Sequence, residues 1–185
     1  MSRILAASLL LVSSSANSYG IQPTISAKCL ARIHEALGTQ AFEKYPAKGH
    51  VRFRPVAPII DRHTRYYRTA VRRGAKLGPN FAGHYTLVEI GCGSATACSP
   101  PIVDATTGKV FWPFPFQVAT SFSAYRETGQ DYIYVLNYDV HSRLLLVAGI
   151  INDDEKDMGL RFYVWDSNKV RLVDFIPFRR LCPAG

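Results

Sequence analysis

The feature that most constrains this chain is a change of hydrophobic period near Tyr85. Before it, apolar residues recur at helical spacing. Cys29, Leu30, Ile33 and Leu37 share one face of a segment that Ser26 caps and Gly38 ends, which predicts a helix over 27–37. Over 59–77, Ile59, Ile60, Tyr66, Tyr67, Ala70 and Val71 gather on one side of a second helix. Arg62, Arg65, Arg68, Arg72 and Lys76 gather on the other, and Gly74 weakens the last turn. Residues 39–50 read as an irregular connection, and 51–56 as an edge strand, because Pro55 would interrupt a central one.

After Tyr85 the pattern becomes one of short strands, over 85–90, 101–104, 109–112, 132–136, 144–151, 160–165 and 170–176. Asp104 to Gly108 and Asp166 to Lys169 supply hairpin turns, and 152–159 reads as a longer acidic hairpin loop. Helices in front and consecutive hairpins behind predict an α+β fold. Its sheet should be mostly antiparallel, sandwich-like or partly closed, with the two N-terminal helices packed on it. At 185 residues the chain suits one domain, and no linker divides it.

The N-terminus points to a compartment. Met1-Ser2-Arg3 gives a short positive start, 4–12 is an apolar run, and 13–20 is small and polar. Those zones describe a secretory signal peptide over 1–20, ahead of an exported domain over 21–185. Small residues fit cleavage after Ala16, Ser18 or Gly20, and no Cys follows them to take a lipid anchor. No stretch reaches the ~18–20 apolar residues of a membrane span. In an oxidising compartment, periplasmic or extracellular, the four cysteines are expected to form two disulfides. Of the three connectivities, one joins the near neighbours Cys92 and Cys98 and ties Cys29 to Cys182. No C-x-x-C or paired His spacing accompanies them, so neither a zinc site nor any other metal or cofactor is expected.

Charge is concentrated rather than spread. The chain has 22 Lys and Arg against 14 Asp and Glu, a net +8. The stretch 48–76 holds nine basic residues with only Asp61 opposing them, so it carries an excess equal to that of the whole chain. A basic helix face with Arg62, Arg65, Arg68, Arg72, Arg73 and Lys76 suits an acidic protein or an anionic envelope component. Nucleic acid is not an expected partner for an exported chain.

Gly78-Pro-Asn-Phe-Ala-Gly-His-Tyr85 runs into a strand and then Gly91-Cys-Gly93, with Cys98 close behind. Ile102-Val-Asp-Ala105, Gly108-Lys-Val110 and Ser142-Arg-Leu-Leu-Leu-Val-Ala-Gly149 follow. Over roughly 78–165 this pattern resembles a group of exported bacterial proteins without an assigned activity. The resemblance implies a compartment and carries no chemistry with it.

His84 is the natural candidate for a general base, with Asp104, Asp139 or His141 as partners. Glu89 lies at an odd offset along the strand and would face away from it. A histidine hydrogen-bonded near the disulfide loop is the plainer reading, since no hydrolase or nucleotide-binding signature is present. Asp153, Glu155 and Asp157 alternate like calcium ligands, but Gly159 stands at the seventh place and no Glu closes the loop, so an exposed acidic loop is expected. The run 111–116, with Phe and Trp between prolines, is a second candidate contact surface.

Together these features describe an exported envelope binding protein. It would be an inhibitor or immunity-type partner of an envelope-directed enzyme, docking through its basic helix face. The alternative is a small envelope hydrolase centred on His84, and a third possibility is a purely structural envelope factor.

Overall fold

The computed structural model describes residues 24–49, 54–93, 96–121, 123–126 and 129–183. The signal peptide expected over 1–20 lies outside them. In chain order the elements are β1 (Thr24–Ile25), α1 (Ala27–Ala36), α2 (Thr39–Glu43), a 3₁₀ turn (Thr64–Tyr67) and α3 (Arg68–Ala75). Strands β2 (Tyr85–Leu87), β3 (Thr96–Cys98), β4 (Ile102–Asp104), β5 (Val110–Phe111), β6 (Val118–Thr120) and β7 (Ser123–Arg126) follow. The chain continues through β8 (Gly129–Tyr132), β9 (Leu136–Tyr138), β10 (Leu144–Ile151), β11 (Asp154–Trp165) and β12 (Val170–Pro177) to α4 (Phe178–Leu181). The fold is α+β, and none of the described sheets closes into a barrel.

The main sheet has six strands in the order β12-β11-β10-β6-β3, with β9 also paired to β10, all antiparallel. Every residue of β10 is buried. Its pleat sends Leu144, Leu146 and Ala148 into one core and Leu145, Val147 and Ile151 into another. On the first side lie Leu30 and Ile33 of α1 and Leu181 of α4. On the second lies the antiparallel sheet β2-β4-β5, which contributes Leu87, Ile102 and Phe111. Val103 and Val110 point out of that small sheet's far side, where Val71 and Ala75 of α3 cover them together with Val88. The layers therefore run α1, main sheet, small sheet, α3. A further sheet, β1-β7-β8, contains the parallel pair β1–β7.

Several local expectations change. Of the irregular connection expected over 39–50, Thr39–Glu43 form a short helix, α2, and 44–49 are irregular apart from a bridge at Pro46. Of the edge strand expected over 51–56, residues 51–53 lie outside the described ones and 54–56 belong to no strand. The helix expected over 59–77 is shorter. Its opening is taken by a turn in which the Asp61 carboxylate accepts the Thr64 amide at 2.7 Å, and the chain passes through a 3₁₀ turn before α3 begins. The tighter 3₁₀ winding rotates the buried face. Thr64 is fully buried, while Ile59 and Tyr66, expected inside, are 60% and 85% exposed.

The acidic loop over 152–159 is also different. Asn152 and Asp153 alone make the turn, both with positive φ (51° and 59°), as a tight two-residue hairpin requires. Asp154 to Gly159 belong to β11. The Asn152 Oδ1 accepts the Gln117 and Val118 amides at 2.8 and 3.3 Å, which fixes the turn against β6. Asp157 pairs with the buried Arg161 at 3.1 Å. The strand expected over 132–136 is divided between β8 and β9, and β1, β3, β6, β7 and α4 were not legible from the pattern.

Both disulfides join the cysteines that the spacing favours. Cys29–Cys182 spans 153 residues with Cα atoms 5.0 Å apart, and Cys92–Cys98 spans six with Cα atoms 5.3 Å apart. The first fastens α1 to the residue after α4. Closing so long a loop restricts the unfolded chain far more than closing the short one. Replacing Cys29 and Cys182 with Ser should lower the unfolding free energy by about 5 kcal/mol, against about 2 kcal/mol for Cys92 and Cys98. Urea unfolding of the two double variants checks this, and equal losses would contradict it.

Candidate functional site

The basic residues singled out by charge occupy the outermost layer. Val71 and Ala75 turn inward onto Val88 and Val103, so helical geometry leaves Arg68, Arg72, Arg73 and Lys76 facing solvent. Arg62 and Arg65, before and within the 3₁₀ turn, are exposed as well. None of these six forms an ion pair among the described residues. The lone acid of the segment, Asp61, is engaged otherwise. Hydrogen bonds from the Thr64 hydroxyl and amide hold its carboxyl below the usual carboxylate range.

Large apolar side chains share this surface. Val56, Ile59, Tyr66 and Leu77 are 45%, 60%, 85% and 86% exposed, against only Tyr134 and Leu172 elsewhere among the described residues. The 3₁₀ turn is anchored from beneath. Trp112 donates its Nε1–H to the Thr64 hydroxyl at 3.2 Å, and its ring lies against His63 and Tyr67 with centroids 4.8 and 5.1 Å away. The aromatic run 111–116 divides between core and surface. Phe114 and Phe116 are buried against Tyr163, and Phe111 packs on Trp165. Trp112, Phe114 and Phe116 also line a groove together with His63, Tyr67 and Gln117, so the run is partly core and partly groove wall.

Beside α3 lies a groove that sequence reasoning missed. One wall is Pro55–Pro58, the other is the α3 face carrying Arg72, Ala75 and Lys76, and Arg54 stands at one end. The Val56 amide donates to the Ala105 carbonyl at 2.9 Å and the Ile59 amide to the Gly108 carbonyl at 2.7 Å, so the β4–β5 turn pins the first wall at both ends. Gly108 has φ +75°, and a Cβ there would stand 2.3 Å from the Ala57 carbonyl oxygen. Only glycine permits that approach. The paired prolines at 55 and 58 were the available signal, but their neighbour across the groove is twenty residues away in the chain.

The histidine candidates fall in a second region. Ala82 and Gly83 donate their amides to the carbonyls of Ser142 and Val140 at 3.1 and 2.6 Å, which joins the His84 turn to the turn holding Asp139 and His141. Gly83, at φ +88°, would carry a Cβ only 2.2 Å from the Gly49 carbonyl oxygen, so a third segment meets here too. His84 is paired with Asp104, Nε2 to Oδ1 at 3.9 Å, and its ring lies against Tyr85. That carboxylate oxygen already accepts the Thr106 amide and hydroxyl at 2.8 and 2.5 Å and the Thr107 amide at 3.3 Å. Asp139 Oδ1 accepts the His141 amide at 2.6 Å.

Ser142, the nearby hydroxyl, is buried. It donates toward the Phe42 and Tyr45 carbonyls and accepts the Leu144 amide, so its proton and one lone pair are engaged in holding the loop. A cleft bounded by Phe42, Glu43, Tyr138, Asp139, His141 and Ser142 lies beside it, and His84 does not line that cleft. On the neighbouring strand, Tyr138 donates to Glu89 at 2.7 Å, and burial together with that carboxylate pushes its phenol pKa up. Among the described residues no group of three or more His, Cys, Asp or Glu is placed to hold a metal ion, and no helix is long and apolar enough to cross a membrane. No family model, no curated protein and no solved structure matches the chain.

Burial pushes the Asp104 carboxyl up, but hydrogen bonds from Thr106 and Thr107 and the neighbouring His84 outweigh it and hold the group below its ordinary value. A carboxyl depressed in the folded state stabilises the fold above its unfolded value, near 3.9, and loses that contribution as pH falls through the folded value. Asp104→Asn should therefore flatten the acid limb of stability between about pH 5 and 2 while leaving the shape above pH 6 unchanged. Thermal unfolding of both proteins across that range checks this. An unchanged acid limb would refute the role given to Asp104.

Proposed function

We propose that this chain is an exported binding protein that docks an acidic protein through the outer face of α3 and the turn before it, as an inhibitor or immunity-type partner of an envelope-directed enzyme. The observation that carries the reading is a combination on one surface. Six cations lack carboxylate partners among the described residues, and Ile59, Tyr66 and Leu77 stand exposed in the same segment. Unpaired cations at a surface raise the encounter rate with an acidic partner, and exposed aromatic and aliphatic groups then supply the desolvated contact that holds it. Arg and Tyr together are the side chains that most often dominate such contacts.

Export is supported by the two disulfides, which persist in oxidising compartments, and by the zoned leader sequence. The competing hydrolase reading finds less support. His84 meets a carboxylate oxygen already accepting three other hydrogen bonds, and the adjacent serine is buried and engaged. Neither group is arranged as an activated nucleophile and base.

The test is charge reversal at Arg65, Arg68, Arg72 and Arg73, all solvent-facing and distant from the core. Immobilised protein should retain an acidic partner from envelope extract at low salt and release it at high salt. The quadruple Arg→Glu variant should slow association by about tenfold or more and lose the salt dependence. Unchanged capture with unchanged salt dependence would end this reading.

A further inference from the structure

We infer that the groove between Pro55–Pro58 and α3 is a seat for one extended acidic segment of a protein partner, carrying small or medium apolar side chains between its carboxylates. The inference rests on the acidic-partner reading above and adds where the partner's chain lies and what it must look like. Among the described residues three cations line the groove, Arg54 at the start of one wall and Arg72 and Lys76 along the helical wall, and no carboxylate does. Between them the surface is apolar: Pro55, Val56, Ala57, Pro58 and Ala75. Charge at the rim and hydrocarbon along the walls are complementary to a strand whose acidic and apolar residues alternate, since successive side chains of an extended chain point to opposite sides.

The shape favours a chain over a flat surface. Ala75 is buried between the exposed Arg72 and Lys76, so a bilayer would meet those cations before it met Ala75. The recess is also pre-formed. Both ends of the proline wall are hydrogen-bonded to the β4–β5 turn, and Gly108 lets the Ala57 carbonyl approach that turn closely. Two prolines remove much of the backbone freedom that an unstructured wall would lose on binding. Arg54 thereby joins the binding residues although it lies ahead of the 62–76 stretch that carries the rest.

Two fluorescein-labelled decapeptides of equal charge test this, alternating aspartate–leucine and alternating aspartate–serine, titrated with the full chain and followed by anisotropy. The leucine peptide should bind at least about tenfold more tightly, because only it fills the apolar recess. Arg54→Glu and Lys76→Glu, both at exposed positions, should each weaken it by about tenfold, while Arg65→Glu, outside the groove, should weaken both peptides equally and by about threefold. Gly108→Ala shifts the wall without changing any charge. It should erase the preference for leucine and leave the serine peptide's affinity in place.

Equal affinity for the two peptides, or an Arg65→Glu loss as large as that of Arg54→Glu, would overturn the groove while leaving the basic-face reading intact. Salt-insensitive or absent binding of both peptides would overturn the two together. Tighter binding to phosphatidylglycerol vesicles than to either peptide, lost on Tyr66→Ser and Leu77→Ser but not on Arg54→Glu, would replace the peptide with a membrane and overturn the inference.

Discussion

The rest of the structure depends on β10 being buried on both faces. An extended strand sends alternate side chains to opposite sides, and here both sides need hydrocarbon. Leu144, Leu146 and Ala148 require α1 above them, and Leu145, Val147 and Ile151 require the small sheet below. Fully burying one such aliphatic side chain is worth about 1.5–3 kcal/mol, so the strand holds two layers at once. The small sheet then has an outer face of its own, Val103 and Val110, that must be covered, and α3 covers it. The position of the basic helix is the end of this chain of necessities. It is held to the body by one inward stripe, Val71 and Ala75, and is left free to present everything else.

In the proposed reading, that arrangement separates folding from recognition. The residues that build the body are apolar and lie in the three cores, while the excess charge lies in one segment that contributes few side chains to them. The backbone around His84 contributes to the body. Amides of Ala82 and Gly83, carbonyls of Val140 and Ser142 and the Ser142 hydroxyl knit three segments that are remote in sequence. The Gly and Asn of the sequence motif there are accounted for by backbone conformation and by the hydrogen bonds of a junction. Glycine at 83 is required by the Gly49 carbonyl, and the Asn80 side chain holds the Leu87 backbone through both its amide and its carbonyl.

What was legible in the sequence followed local physics. Ser26 caps α1 by accepting the Cys29 amide, and the unbroken apolar run over 144–151 matches β10 residue for residue. The hairpin turns at Asp104–Gly108 and Asp166–Lys169 were readable because their residues fix the backbone on their own. Where tertiary contacts decided, the pattern was silent or misleading. Asp154 to Asp157 look like a solvated loop, yet they extend a strand beyond the core with their side chains outside. The opening of the second helix was lost to the Asp61–Thr64 turn, which helical periodicity cannot register. The charge of the basic segment was plain from composition, whereas the groove beside it arises only where Pro55–Pro58 meets α3 across Gly108.

The central claim is that recognition resides in 54–77 and not at the histidine junction. Amide chemical-shift mapping of the isotope-labelled protein, titrated with an acidic peptide, tests it most directly. The account predicts that perturbed amides cluster in 54–58 and 62–77 and subside as salt is raised. Perturbations centred on His84 and on 138–143, persisting at high salt, would contradict it.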